Sequence, residues 1–263
     1  VTGLGRNRPE TSVTSICDWI TCDLAVERPG LANNYDMVIH AAGQSKNPDS
    51  SSEEYFENNI TATKNLVHSI RNEFNGIFVF LSGLSVFGDV NSSVVDEDTP
   101  VCNPDAYSVS KYCCELFLSE QDLVRSLVLR LPAVVGKGAP TSWPVRIIDK
   151  IEKDRALSIY NPDSMYNHII HVQSLCDFIF SSVVHETSVY YDRLLLASRD
   201  PVTVRTVVEM IFSRLGRRAD VTSNENYLNN FTVCCDKAIR EFGYKPWTVE
   251  DTLNRFLEEY LNG

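Results

Sequence analysis

The sequence predicts an α/β protein built on a doubly wound parallel sheet, with a smaller C-terminal lobe. Short apolar runs of strand length alternate with amphipathic stretches of helix length, the pattern of strand-helix-strand units. One of those helices carries Tyr107 and Lys111, whose spacing puts both side chains on one face. A chain of 263 residues, 43% of them hydrophobic, can bury a sizeable core.

Taken in order, the predicted strands begin with Val1 to Gly5, Trp19 to Cys22 and Met37 to His40. Each is too short for a helix and rich in apolar or aromatic residues. Glu53 to Phe74 reads as a helix because Tyr55, Ile60, Leu66, Val67 and Ile70 recur at helical spacing. Ile77 to Ser82 is a continuous apolar run, as expected of a strand covered on both faces. Pro104 followed by Asp105 is a helix start and opens the Tyr107/Lys111 helix. Ser126 to Leu131 is the next strand. Gly136 to Pro144, rich in Gly and Pro, marks the passage out of a first domain spanning 1–138 into a lobe spanning 139–263. In that lobe, helices are expected near 143–155, 203–215 and 248–261. Strands at Ile169 to Val172 and Leu194 to Ala197 lie in a part (about 165–200) that returns to the first sheet.

A net charge of −11 argues against nucleic-acid or anionic-membrane partners, which require a basic face. No apolar run approaches the ~18 residues needed to span a bilayer, and the N-terminus lacks a signal pattern, so the reading is a cytoplasmic protein. Eight cysteines are scattered without Cys-x-x-Cys or zinc-ligand spacing, which implies reduced thiols and no metal site. Cys113 and Cys114, on the Tyr107/Lys111 helix, read as small buried hydrophobes.

The chemistry lies in Tyr107 and Lys111. A free tyrosine titrates near ~10 and is a poor base at neutral pH, but a cation within ~4–6 Å favours the phenolate. The pair is therefore a candidate proton-transfer device.

His40-Ala41-Ala42-Gly43, Asn59 with Thr63 and Asn65, Ser82 to Gly88, Tyr107-x-x-x-Lys111 and Arg130-Leu131-Pro132 occur in this order. Together they resemble the extended short-chain dehydrogenase/reductase family, and more narrowly its NAD-dependent epimerase/dehydratase branch, which acts on nucleotide sugars. The likeness covers nearly the whole chain, including Ile170-His171-Val172 and Gly243-Tyr244-Lys245-Pro246. It implies a Rossmann-type domain holding NAD(P), with a lobe that closes over a nucleotide-sugar substrate in the cleft. It also implies a homodimer built through the helices from Glu53 and Asp105.

Under the resemblance, Tyr107 is the acid/base at the sugar hydroxyl, and Lys111 holds the nicotinamide ribose and lowers the tyrosine pKa. Ala41, Ala42 and Gly43 let the cofactor approach the backbone. Asp23 and Leu24 match the cofactor segment after the family's third strand. Asn59 stabilises a helix kink, and Pro132 packs near the nicotinamide carboxamide. Val86, Ala133 and His171 are substrate-side candidates, and Ala133 stands where many epimerases carry a substrate-binding asparagine.

Two departures qualify the likeness. The family's Gly-x-x-Gly-x-x-Gly turn, which binds pyrophosphate, is missing: Arg6 and Pro9 stand where its later glycines would fall. His40 follows Gly3 by only 37 residues, too few for the family's two strands and two helices, so Val1 to Arg6 reads as the second strand. By length, a βα unit of about 25 to 30 residues is expected ahead of it; without that unit, sheet edges stay unpaired around a gap. Arg6 then sits where cofactors are discriminated, and its guanidinium suits a 2′-phosphate, tipping the choice toward NADP over NAD.

The second departure is Gly83, which takes the place of the family's catalytic Ser or Thr. Ser85 and Ser82 are the candidate substitutes. Ser85 points the same way as Gly83 if the strand continues, and is preferred. Leu84 and Ser85 replace the Asp-Glu pair of the dehydratases, which leaves an epimerase or a 4-keto reductase. A non-catalytic or truncated relative with impaired cofactor binding is the alternative, and a plain reductase of small carbonyl compounds is a third.

Overall fold

A computed structural model of the chain describes residues 1–9, 16–31, 35–70, 74–122, 124–139, 142–182, 190–224 and 230–262. In chain order the elements begin with strands β1 (Thr2–Gly5), β2 (Asp18–Thr21) and β3 (Met37–His40), then α1 (Ser52–Tyr55), a π-helical stretch (Phe56–Thr61) and α2 (Ala62–Ile70). After β4 (Ile77–Gly83) and a 3₁₀ turn (Leu84–Phe87) come β5 (Val94–Val95), α3 (Ala106–Ser119), β6 (Arg125–Leu131), β7 (Ala133–Val135) and α4 (Trp143–Glu152). The rest is β8 (Leu157–Tyr160), β9 (Met165–Tyr166), β10 (Ile169–His171), α5 (Val172–Ser182), β11 (Tyr191–Leu195), β12 (Val202–Thr203), α6 (Val204–Leu215), β13 (Val221–Asn224), β14 (Thr232–Val233), α7 (Asp236–Phe242) and α8 (Val249–Leu261).

The chain groups into two compact units, one of Val1–Gly88, Pro104–Leu129 and Glu186–Arg193, the other of Asp89–Asn103, Arg130–His185 and Leu194–Gly263. A four-stranded sheet runs β11-β6-β4-β3, with β3 parallel to β4 and His40 opposite Phe80; β3 and β4 belong wholly to the first unit. One face is covered by Leu66, Val67 and Ile70 of α2 and by Cys114 and Leu118 of α3, which pack with Phe78, Phe80 and Val128. Fully burying each such aliphatic or aromatic side chain contributes about 1.5–3 kcal/mol.

A separate parallel pair, β1 and β2, is set in register with Gly3 opposite Trp19. Among the described residues no strand lies between β1 and β3; Gly3, Leu4, Met37, Ile39 and Leu66 help line a cavity of about 240 Å³ there.

In the second unit α4, α6 and α8 surround β8 and β10 around Ile147, Ile148, Ile169, Ile211 and Phe256. Short ladders pair β7 with β10, β8 with β13 and β5 with β14 in parallel, and β9 with β12 antiparallel. Asn167 fastens β14: its amide donates to Ser198 O and Val233 O and accepts from Val233 N.

Three expected elements change shape. The helix expected over Glu53 to Phe74 is broken by the π-helical stretch. The strand expected over Ile169 to Val172 stops at His171, and Val172 opens α5, a helix not anticipated. The strand expected over Leu194 to Ala197 is Tyr191–Leu195; Leu196 and Ala197 lie just beyond its end but are fully buried, so the apolar run marked the core rather than the ladder.

Candidate active site

The Tyr107/Lys111 helix starts where the sequence places it. Asp105 is extended and its carboxylate accepts from Ser108 N, satisfying one of the free first-turn amides. Lys46 pairs with the same carboxylate. Burial alone would raise the Asp105 pKa, but Lys46 and Ser108 outweigh it and hold the carboxyl below its ordinary range.

Two residues on, Tyr107 meets Tyr55 edge-on, with ring centroids 5.7 Å apart at 67°. The Tyr55 hydroxyl is fixed in turn, donating to Asn47 O at 2.8 Å and accepting from Asn47 N at 2.9 Å. Lys111 is buried; its ammonium donates to Leu81 O at 3.2 Å and lies 4.9 Å over the Phe80 ring.

Here the structure departs from expectation. The Tyr107 phenol is pushed up rather than down, first by burial and then by Asp105 and Tyr55. Burial lowers Lys111, partly countered by Cys114 and Glu115. The ammonium is committed to the β4 backbone, so in this state Tyr107 is a protonated phenol.

The π-helical stretch turns Asn59 inward. Its Oδ1 accepts from Gln44 N at 2.8 Å, and its Nδ2 donates to Ser110 Oγ at 2.8 Å, which donates onward to Tyr107 O. A π turn at such a position often marks a functional site. Gly43 needs its lack of a side chain for two reasons: its φ is +148°, and a Cβ there would come within 2.5 Å of Asn59 Oδ1.

At the end of β4 the two serines diverge. Ser82 is buried and donates to the buried carboxylate of Glu115 at 2.5 Å. The strand does not continue past Gly83, so strand alternation does not set the direction of Ser85, which is exposed in the 3₁₀ turn. Val86 in that turn is fully buried.

Arg6, Asp23, Leu24, Ala42 and Gly43 come together around a cavity of about 250 Å³ that Leu4, Gly5 and Asn58 also line. Ala41 lies on the neighbouring cavity beside β3. An exposed small-residue edge next to a guanidinium and a carboxylate fits the adenosine half of a dinucleotide.

The remaining candidates belong to the second unit. Pro132 separates β6 from β7, and Ala133 opens β7, its N–H donating to His168 O at 3.3 Å. His171 is an internal brace, not a free substrate contact. Its Nδ1 accepts from Gln173 N at 3.1 Å, which leaves Nε2 to donate to Glu259 at 3.2 Å, and the ring stacks on Trp247 at 5.1 Å. Among the described residues no three His, Cys, Asp or Glu side chains gather to hold a metal, and no helix is long and apolar enough to cross a membrane.

Residues 2–193 match the NAD dependent epimerase/dehydratase family. The chain belongs to this family. UDP-glucose 4-epimerase of Mycoplasma pneumoniae (strain ATCC 29342 / M129 / Subtype 1) is 29% identical over 171 residues, 55% of this chain and 49% of that protein. The chain thus spans about half the length of this curated relative. UDP-glucuronic acid 4-epimerase from Bacillus cereus, solved in complex with NAD, superposes with a TM-score of 0.82 at 17% identity, covering 99% of this chain and 90% of that one. RMD from Pseudomonas aeruginosa, complexed with NADPH, gives a TM-score of 0.73 at 18% identity over 95% and 93% of the two chains. The fold is Rossmann-type α/β, as the sequence predicts.

Two residues of this family member's site were not foreseen. Glu115 follows Lys111 by one helical turn, a visible signal, but only Ser82 reveals its place. Tyr55 was read as part of an apolar stripe, whereas it holds both Asn47 and the edge of Tyr107.

Proposed function

We propose that the protein is an NAD(P)-dependent enzyme that works on a nucleotide sugar by hydride transfer, as an epimerase or a 4-keto reductase, with Tyr107 as general acid/base. The observation that carries this reading is the docking of one face of α3 along the carboxyl end of β4, which anchors Lys111 at Leu81 one turn after Tyr107. When bound, NAD(P) supplies reversible hydride acceptance at a sugar carbon.

Arg6, Asp23, Leu24, Ala42 and Gly43 hold the adenosine side, with Ala41 beside them, and Arg6 favours a 2′-phosphate and hence NADP. Asn59 keeps the Gln44 backbone and α3 in place. The protonated Tyr107 phenol is the acid form needed to deliver a proton to a developing sugar alkoxide. For the reverse step the Lys111 ammonium turns from Leu81 O to the phenol and lowers its pKa. Ser85, exposed beside Gly83, supplies the hydroxyl that Gly83 lacks, since Ser82 is committed to Glu115. By the family pattern, Pro132 would lie near the nicotinamide, and Ala133 and Val86 are the substrate-side candidates of their respective units. The protein works as a cytoplasmic homodimer; Phe56 and Leu116, half exposed on the helices assigned to the interface, fit that role.

Gly83 and the raised phenol favour a second reading, a non-catalytic or truncated relative with impaired cofactor binding. Fluorescence titration with NADPH and NADH, followed by turnover assays with UDP-glucose and UDP-glucuronic acid, separates the two. Binding and turnover that Tyr107→Phe abolishes, with folding intact, support the enzyme. Absence of binding, binding without turnover, or turnover that survives Tyr107→Phe overturns it.

A further inference from the structure

Glu115 has no place in the mechanism above, yet it is 1% exposed, and a carboxylate is rarely buried so deeply without a task. It lies one helical turn after Lys111, on the face of α3 that meets β4. The two charged groups grip neighbouring residues of the same strand: Lys111 Nζ donates to Leu81 O at 3.2 Å, and Glu115 accepts from Ser82 Oγ at 2.5 Å. The strand thus holds a buried ammonium and a buried carboxylate in fixed relation.

Resting on the reading of Tyr107 and Lys111 as the acid/base pair, we propose that Glu115 is the positioning residue of the site: its buried carboxylate keeps Lys111 charged and its tie to Ser82 fixes that ammonium against β4. Burial disfavours the charged form of any lysine, and a carboxylate nearby in a poorly solvated setting offsets this more effectively than it would in water. The other titratable groups around Lys111 are His40 of β3, Cys114 of α3 and, one turn earlier, Tyr107. His40 is held neutral, its pKa lowered to about 3 by burial and by Lys111 itself. Cys114 is kept as a thiol by burial, pushed up to about 11. Tyr107 is likewise raised. Burial lowers Lys111, and Cys114 and then Glu115 raise it, Glu115 being the carboxyl held against β4 one residue on from the Lys111 contact.

The consequence concerns the working range of the site. An ammonium that loses its proton too early cannot stabilise a phenolate, so Glu115 sets how far into alkaline pH the Tyr107/Lys111 device operates.

The test reads Lys111 directly and does not depend on activity. Protein labelled with [ε-13C]lysine is titrated by NMR, the Lys111 resonance being assigned by its loss in Lys111→Met. Glu115→Gln, nearly isosteric and still able to accept from Ser82, moves the Lys111 midpoint to lower pH. Ser82→Ala, which keeps the carboxylate, leaves the midpoint close to wild type. Glu115→Asp gives an intermediate midpoint and serves as the comparison should the amide variant not fold. Coincident midpoints in wild type and whichever Glu115 variant folds overturn the proposal. Where turnover is measurable, the alkaline limb of the kcat profile moves to lower pH in Glu115→Gln, whereas a purely structural role lowers kcat without moving it. Absence of turnover in wild type counts against the enzymatic reading and leaves the lysine titration to decide on Glu115.

Discussion

Asn59→Ala offers the sharpest test of how the site is held together. The side chain is 2% exposed and makes two good hydrogen bonds, each 2.8 Å long, to Gln44 N and Ser110 Oγ. A third contact, to Gln44 O, is 3.5 Å long and contributes little. Two net bonds are worth about 1 kcal/mol each, and the unmet Gln44 amide with the small void adds about 1–2 kcal/mol more. The loss in stability of the first unit is then about 3–4 kcal/mol, roughly a 150- to 900-fold change in its opening equilibrium. Ser110 still donates to Tyr107 O, which keeps the upper part of that range from being exceeded.

Because the chain has two units, the measurement is native-state hydrogen exchange at the amides of β3 and β4 rather than a global melt. Asn58→Ala is the control: that side chain bonds to Glu54 O on an exposed surface, and its loss should cost under about 0.5 kcal/mol. If Asn59→Ala falls within about 0.5 kcal/mol of that control, the inward amide is not what holds the Gly43–Gln44 turn to α3, and the reasoning fails.

Ser85→Ala should lower kcat about 100- to 1000-fold with little change in KM, and adding Gly83→Ser should recover part of the loss; unchanged kcat in the single variant removes Ser85 from the mechanism. His40 is neutral in the folded protein down to about pH 3 but takes up a proton in the unfolded chain below about 6.5. Its contribution is therefore complete above about 6.5 and is lost as pH falls toward 3, at up to about 1.4 kcal/mol per pH unit. In urea titrations His40→Gln should lose stability between pH 6.5 and 4 less steeply than wild type, and equal slopes contradict the assignment.

What the sequence made legible was whatever local chemistry decides. Met37–His40 appears as expected because a short apolar run ahead of Ala-Ala-Gly is too short for a helix and pairs in parallel with buried β4, although Ile39 itself stays half exposed. Asp105 caps α3 because a carboxylate ahead of a helical stripe satisfies amides nothing else reaches. The π turn was not legible, since Asn59 turns inward for partners 15 and 51 residues away. Strand alternation prefers Ser85 to Ser82, but what sets Ser82 apart is Glu115, 33 residues on, and no local pattern shows it. His171 reads as a substrate-side candidate, and Glu259, which occupies it, lies 88 residues away, beyond any local signal. Two-residue ladders such as β5 with β14 leave no period to detect.

That last ladder also bears on how far the protein can be divided. Asp89–Asn103 leaves the first unit, gives β5 to β14, and lets Glu97 accept from Leu195 N before the chain returns at Pro104 to begin α3. A fragment starting at Arg130 would lack both the partner of β14 and the acceptor for Leu195. Neither unit is a transplantable module: a lobe grafted from a relative to change substrate preference would need its own copy of the 89–103 excursion, and with it a new junction one residue before the cap of the Tyr107 helix.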